Sequence, residues 1–102
     1  QSKGVGTALY ACPEALAGAH SESTDMFSVG VILFEMWSVF GSYMERVTEL
    51  MRVKTTGRVP PVFARALPLQ ARLVQMLVSA DSAARPSARQ LLDMLDEAGV
   101  GR

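Results

Sequence analysis

Between Asp25 and Phe40 the chain is apolar on every side rather than along one stripe, and from Met26 to Phe40 the only charge is Glu35. A helix that is apolar all round is a buried helix. The run is too short and too interrupted to span a bilayer, which takes ~20 predominantly apolar residues. Val29, Val31 and Ile32 would also suit a strand, but the run is too long for an ordinary one and lacks a period of two. The pattern therefore predicts a central buried helix, entered through Ser21-Glu22-Ser23-Thr24 and capped by Ser23, Thr24 or Asp25.

The flanking segments have other patterns. Residues 1 to 12 show no helical period, and Gly4-Val5-Gly6-Thr7 reads as a loop that can approach another surface closely. It lacks the third glycine and the lysine of a phosphate-binding loop. Pro13-Glu14-Ala15-Leu16 predicts one helical turn, with proline and an acid at its start, and Gly18 ends it. Ser42 followed three residues later by Glu45 is a capping box. It opens a helix from Tyr43 to Lys54 whose apolar face is Met44, Val47, Leu50 and Met51, opposite Glu45, Glu49 and Arg52. Thr55 to Leu67 is expected to be an irregular connector, because it holds Gly57, Pro60 and Pro61. A further helix, Leu69 to Val78, buries Leu69, Leu73, Met76 and Leu77. After a turn carrying Asp81 and Arg85, Ser87 and Gln90 form a second capping box. Leu91, Leu92, Met94 and Leu95 make the inner face of the last helix, which Gly99 closes. No strand survives, so the expected class is all-α.

Composition narrows the function classes. The 102 residues, 49% hydrophobic and 20% charged, suffice for one small domain. Ten basic and ten acidic residues cancel, so no charge excess favours nucleic acid or an anionic membrane surface. One cysteine, Cys12, permits no internal disulfide, which fits a reducing, cytoplasmic setting. One histidine, His20, and one cysteine make no zinc site, and no metal ligands are assigned. The chain has neither an initiator Met nor a signal peptide, and reads as cut from something longer.

Three separated features then converge: Gly6-Thr7 running into Cys12-Pro13-Glu14, the segment Asp25-Met26-Phe27-Ser28-Val29-Gly30, and Arg85-Pro86 before a capped amphipathic helix. Their order and spacing resemble the helical C-terminal lobe of the eukaryotic protein-kinase fold, across about Gly4 to Leu95. Gly4-Val5-Gly6-Thr7-Ala8-Leu9-Tyr10 with Pro13-Glu14, and Met44-Glu45-Arg46-Val47, are most similar to the translation initiation factor 2 alpha kinases, especially the amino-acid-starvation branch.

The resemblance implies roles for particular residues. Residues 1–14 match the loop-rich end of the activation segment, and residues 15–102 the helical part of the lobe. Gly6, Thr7 and Tyr10 would face the substrate, with Thr7 matching a threonine that bonds the catalytic aspartate and lysine. Glu14 and Arg85 match a structural ion pair, although either residue alone would be expected on the surface. Asp25 matches the residue that anchors the catalytic loop, a role compatible with that of a plain helix cap. The helix from Tyr43 matches the one that docks globular substrate, through Glu45, Thr48, Glu49 and Arg52, with Met44, Val47 and Met51 more often core. Cys12 stands where the family usually has serine or alanine, and Ser82 replaces the more usual proline.

What the family implies for activity is a serine/threonine kinase moving the ATP gamma-phosphate to a protein serine with Mg2+. Its protein substrate would be initiation factor 2 alpha, and translation would be controlled under stress. The chain holds no glycine-rich loop with its strand lysine, no His-Arg-Asp and no Asp-Phe-Gly. Alone it is expected to bind neither ATP nor Mg2+ and to carry no catalytic residue, its partner being the rest of the kinase domain. A pseudokinase or regulatory interaction module would share every feature above. An unrelated helical interaction domain would need Glu14 and Arg85 far apart.

Overall fold

The computed structural model describes residues 9–16, 18 and 21–99 of the chain. Among them the elements are α1 (Pro13–Leu16), α2 (Glu22–Met36), α3 (Tyr43–Thr56), α4 (Pro61–Ala66), α5 (Pro68–Leu77), a 3-10 turn (Ser82–Ala84) and α6 (Ala88–Ala98), with no strand. The all-α expectation holds.

Helix α2 is the buried post about which the others pack. Met26, Phe27, Gly30, Val31 and Phe34 are buried along it. It starts earlier than the sequence suggests. Ser21, in extended backbone, accepts from the Thr24 amide, and Thr24 Oγ1 accepts in return from the Ser21 amide at 3.0 Å. That reciprocal box fixes the cap at Ser21, so neither Ser23, Thr24 nor Asp25 is the cap. The helix also stops short of Phe40. Beyond Met36, Trp37 leaves the helical track and the Ser38 hydroxyl bonds the Phe34 carbonyl at 2.6 Å. Phe40 then folds back edge-on to Phe34, with ring centroids 6.2 Å apart.

Helix α3 is rotated from the face its Met residues suggested. Leu50 and Val53 are fully buried, whereas Met44 is 70% exposed and Met51 45%. The inward track runs Arg46, Leu50, Val53, a four-then-three spacing that admits a charge because Glu35 waits opposite. Its cap differs in detail: Ser42 accepts from the Glu45 amide, but the Glu45 carboxylate takes the Gly41 amide instead of the Ser42 amide. At the far end Gly57, at φ 71°, turns its amide back onto the Val53 carbonyl at 2.8 Å. The left-handed backbone there is one that glycine adopts at no steric cost.

The connector, expected to be irregular, contains helix α4. Pro61 occupies the first helical position, where its missing N–H costs nothing. The proline pair starts a helix instead of forbidding one, and it delivers Phe63 to within 5.1 Å of the Phe34 ring. Helix α5 lies along α2 and buries Ala71, Leu73, Val74 and Leu77. Leu69 and Met76, expected inside, are half-buried, because the buried face of the helix runs through Ala71, Leu73, Val74 and Leu77. Helix α6 has the expected Ser87–Gln90 box and closes at Gly99. Leu91 is buried and Met94 and Leu95 pack beside it, but Leu92 points outward, 61% exposed.

Ile32 and Met36, one helical turn apart on α2, are 40% and 70% exposed, although Phe27, Val31 and Phe34 of the same helix are fully buried. Apolar side chains left open on a central helix favour association. The chain is expected to self-associate as its concentration rises, which sedimentation velocity would detect. Ile32→Glu/Met36→Lys should reduce that association, whereas a wild-type chain monomeric at every concentration would contradict the expectation.

Candidate functional site

Two polar clusters tie the segment around Tyr10 and Glu14 to the helices. The first is centred on Arg85. Its guanidinium donates to both Glu14 carboxylate oxygens, at 2.8 and 3.5 Å, to the Ser79 carbonyl at 2.9 Å and to the Ser23 carbonyl at 3.2 Å. It also lies over the Phe27 ring, 5.0 Å from the centroid. The planar fork suits this task, since it meets a carboxylate bidentately and still has donors for carbonyls. Three separate stretches, α1, α2 and the loop before α6, thus meet at one side chain. Glu14 and Arg85 come together as a pair, so they are not the distant residues of an unrelated fold. The buried member, however, is the arginine, whose side chain is 1% exposed against 33% for Glu14.

The second cluster was not found from the sequence as a site. The Tyr10 hydroxyl donates to Glu35 Oε1 at 2.5 Å, Arg46 Nε donates to Glu35 Oε2, and an Arg46 terminal nitrogen donates to the Tyr10 oxygen at 2.9 Å. The three bonds close a triangle linking the segment before α1, the end of α2 and the start of α3. The available signal was Glu35 itself, the only charge in an apolar run, which must have a partner if it is half-buried.

The remaining expected site residues are more scattered. Asp25 is exposed in the first turn of α2, where an acid suits the helix dipole, and its carboxylate bonds no described residue. On α3, Glu45, Thr48 and Arg52 are exposed. Glu49 is half-buried, pointing toward the groove beside Phe34 and Phe63, and is loosely paired with Arg52 at 3.9 Å. Gly6 and Thr7, like His20, lie outside the described residues. Cys12 is fully buried in the core beneath α3.

The charges respond to these partners. The Arg85 hydrogen bond holds the Glu14 carboxyl below its ordinary 4.5, and the Arg46 hydrogen bond does the same for Glu35. The Glu35 hydrogen bond raises the Tyr10 phenol above 10.0. Burial pushes the Lys54 ammonium down, with Cys12 acting the other way. A carboxyl lowered on folding stabilises the folded state above its unfolded pKa, and that contribution disappears as pH falls through the lowered value. Denaturation midpoints should therefore hold level near neutrality and fall as pH drops below about 4.5. In Glu14→Gln/Glu35→Gln the fall should be shallower, and equal slopes in a pH series of denaturant titrations would contradict the assignment.

No family model matches the chain. Individual proteins do. It is 48% identical over 89 residues to rat eukaryotic translation initiation factor 2-alpha kinase 1, covering 86% of this chain and 14% of that protein. It is 43% identical over 93 residues to a probable serine/threonine-protein kinase of Dictyostelium discoideum, covering 86% of this chain and 6% of the relative. A translation initiation factor 2-alpha kinase of Arabidopsis thaliana is 39% identical over 90 residues, covering 86% and 7%. The chain thus spans about one seventh or less of each relative's length.

Proposed function

Taking as premise that this chain belongs with the translation initiation factor 2-alpha kinases and forms part of the helical C-terminal lobe of their protein-kinase fold, we propose that it is the substrate-facing and scaffolding portion of a serine/threonine kinase. The observation that carries this is the identity of 48% with the rat kinase over 86% of the chain. The reaction would transfer the ATP gamma-phosphate to a protein serine, with initiation factor 2 alpha as the substrate and the cytoplasm as the setting. For the setting, the supporting fact is that no described helix is long and apolar enough to cross a membrane.

ATP and Mg2+ belong to that reaction, the metal neutralising charge that develops on the phosphates. Among the described residues no group of three or more His, Cys, Asp or Glu could hold a metal ion by itself, and Mg2+ in such a reaction is held by one or two carboxylates together with the phosphates. The sequence also lacks His-Arg-Asp and Asp-Phe-Gly. No step of the transfer is assigned to this chain. What its residues contribute is placement. Glu14 and Arg85 fasten the end of the activation segment to the helical core, and Gly6, Thr7 and Tyr10 would present it to substrate. Asp25, exposed at the head of α2, is free to accept amides of a catalytic loop supplied by the rest of the kinase domain. On α3 the outward side chains Met44, Glu45, Thr48, Met51 and Arg52 mix apolar area with charge, the composition of a protein-docking face. Exposure of the two methionines moves them from expected core to this face.

The deciding experiment is to sequence the transcript upstream of Gln1. An in-frame His-Arg-Asp loop and Asp-Phe-Gly within a few tens of codons would give the catalytic residues this chain lacks. Corrupted or missing motifs there would overturn the catalytic proposal and leave a pseudokinase or binding module.

A further inference from the structure

The Tyr10–Glu35–Arg46 triangle sits where two proposed functions meet, one on the segment that carries Tyr10 and the other on the outer face of α3. We propose that Glu35 and Arg46 are positioning residues that clamp the substrate-facing segment to the docking helix, so that a partner seated on α3 sets the placement of Tyr10. The inference rests on the substrate-facing and docking roles given above, but the clamp itself can be measured without them.

The geometry favours a coupling over a simple surface ion pair. Arg46 uses separate nitrogens for Glu35 and for Tyr10, and Tyr10 both donates to Glu35 and accepts from Arg46. Each member therefore holds the other two, and a shift of α3 that moves Arg46 must move the phenol or break two bonds together. All three side chains are half-buried, so water can replace the bonds only in part. The segment is also held by Leu9 packed on the core and, four residues after Tyr10, by the Glu14–Arg85 pair, so the triangle fixes the phenol rather than the whole segment. After Tyr10 comes Cys12, buried in the core, and then the short α1, whose first backbone bond runs from the Ala15 amide to the Cys12 carbonyl at 3.1 Å. Arg46 lies one turn into α3, on the inward track that continues through Leu50 and Val53, while Glu45 and Thr48 face outward on the same turns. Load applied to the outer face reaches Arg46 through one rigid helix.

The test uses the whole chain and two readouts. The first is spectrophotometric titration in a Tyr43→Phe background, where Tyr10 is the one remaining tyrosine. Its phenol should ionise above the usual value of about 10. Arg46→Met should raise that value further by removing the cation, and Glu35→Gln should bring it down. A merely structural contact elsewhere on α3 would move neither. The second readout is hydrogen exchange. Arg46→Met should speed exchange of the Ala15 amide by about tenfold while leaving α6 amides unchanged. Arg46→Lys should restore part of the protection through its remaining bond. An unchanged Tyr10 titration, or exchange accelerated equally in α1 and α6, would overturn the clamp.

Adding purified translation initiation factor 2 alpha then separates the two levels of the argument. Protection across α3 together with altered Ala15 exchange is expected in the wild type, with the Ala15 response lost in Arg46→Met. An α3 footprint whose Ala15 response survives in Arg46→Met overturns the proposal. If α3 shows no footprint, the docking role falls with it, and so does transmission from that partner, whether or not the free-chain readouts find the clamp.

Discussion

Replacing Arg85 with alanine will lower the unfolding free energy of the chain by about 3–5 kcal/mol, read from denaturant titration. The size follows from where the charge is buried. A pair in which both members reached solvent would contribute about 1 kcal/mol or less. Here the guanidinium is 1% exposed, and it serves two backbone carbonyls as well as the Glu14 carboxylate. Truncation leaves the Ser79 carbonyl without its donor, takes a second donor from the Ser23 carbonyl of α2, removes the cation from the Phe27 face and opens a space between α1, α2 and the loop before α6. Hydrogen bonds to a charged group are worth about 1.5–3 kcal/mol each, and an unsatisfied buried acceptor adds to the loss. Since a domain of this size is stable by only about 5–15 kcal/mol, the variant loses a large share of its stability.

The partner residue gives the control. Glu14→Gln should cost less, about 1–2 kcal/mol, because its carboxylate is 33% exposed and Arg85 keeps its two carbonyls and the ring. A pair of buried charges would instead suffer comparably from either loss. Equal effects would show that both charges are buried, and a larger one at Glu14 that the carboxylate is the buried member.

How far the sequence reaches can be judged from particular elements. The two capping serines at 42 and 87, the glycine closing the last helix and the apolar run of α2 are local signals, and local structure follows them. The meeting of Glu14 and Arg85 was legible because the resemblance supplied a partner 71 positions away, which periodicity alone cannot do. The rotation of α3 was not legible. Met44 and Met51 are as apolar as Leu50 and Val53, and only tertiary contact with α2 decides which pair is buried. Helix α4 was missed because Pro60-Pro61 can end one helix or begin another, and the choice depends on Phe63 finding Phe34. The Tyr10–Glu35–Arg46 triangle joins residues 25 and 36 positions apart whose types are common on any surface. Its one sequence trace is a lone glutamate inside an apolar run.

The second large effect is expected at Gly30. In an isolated helix Gly→Ala stabilises by about 1 kcal/mol, because alanine restricts the unfolded chain and glycine does not. In this chain the same change will destabilise by about 2 kcal/mol, since overpacking a dense core costs roughly 1–3 kcal/mol and sometimes more. A Cβ at Gly30 would stand 2.6 Å from Leu77 Cβ and 2.9 Å from Val78 Cγ1, at the crossing of α2 and α5. The Val78 methyl could rotate away. Leu77 Cβ is fixed to its backbone and can move only if α5 itself backs off from α2. Shortening Val78 in the same chain should therefore recover little, so Gly30→Ala/Val78→Ala will be no more stable than Gly30→Ala. Denaturant titration of wild type and the two variants separates the two forces. If Gly30→Ala alone proves more stable than wild type, helix propensity has won and α2 does not rest this closely on α5. If it loses stability and Val78→Ala fails to rescue it, the missing side chain at Gly30 is what lets the central helix pack against its principal neighbour.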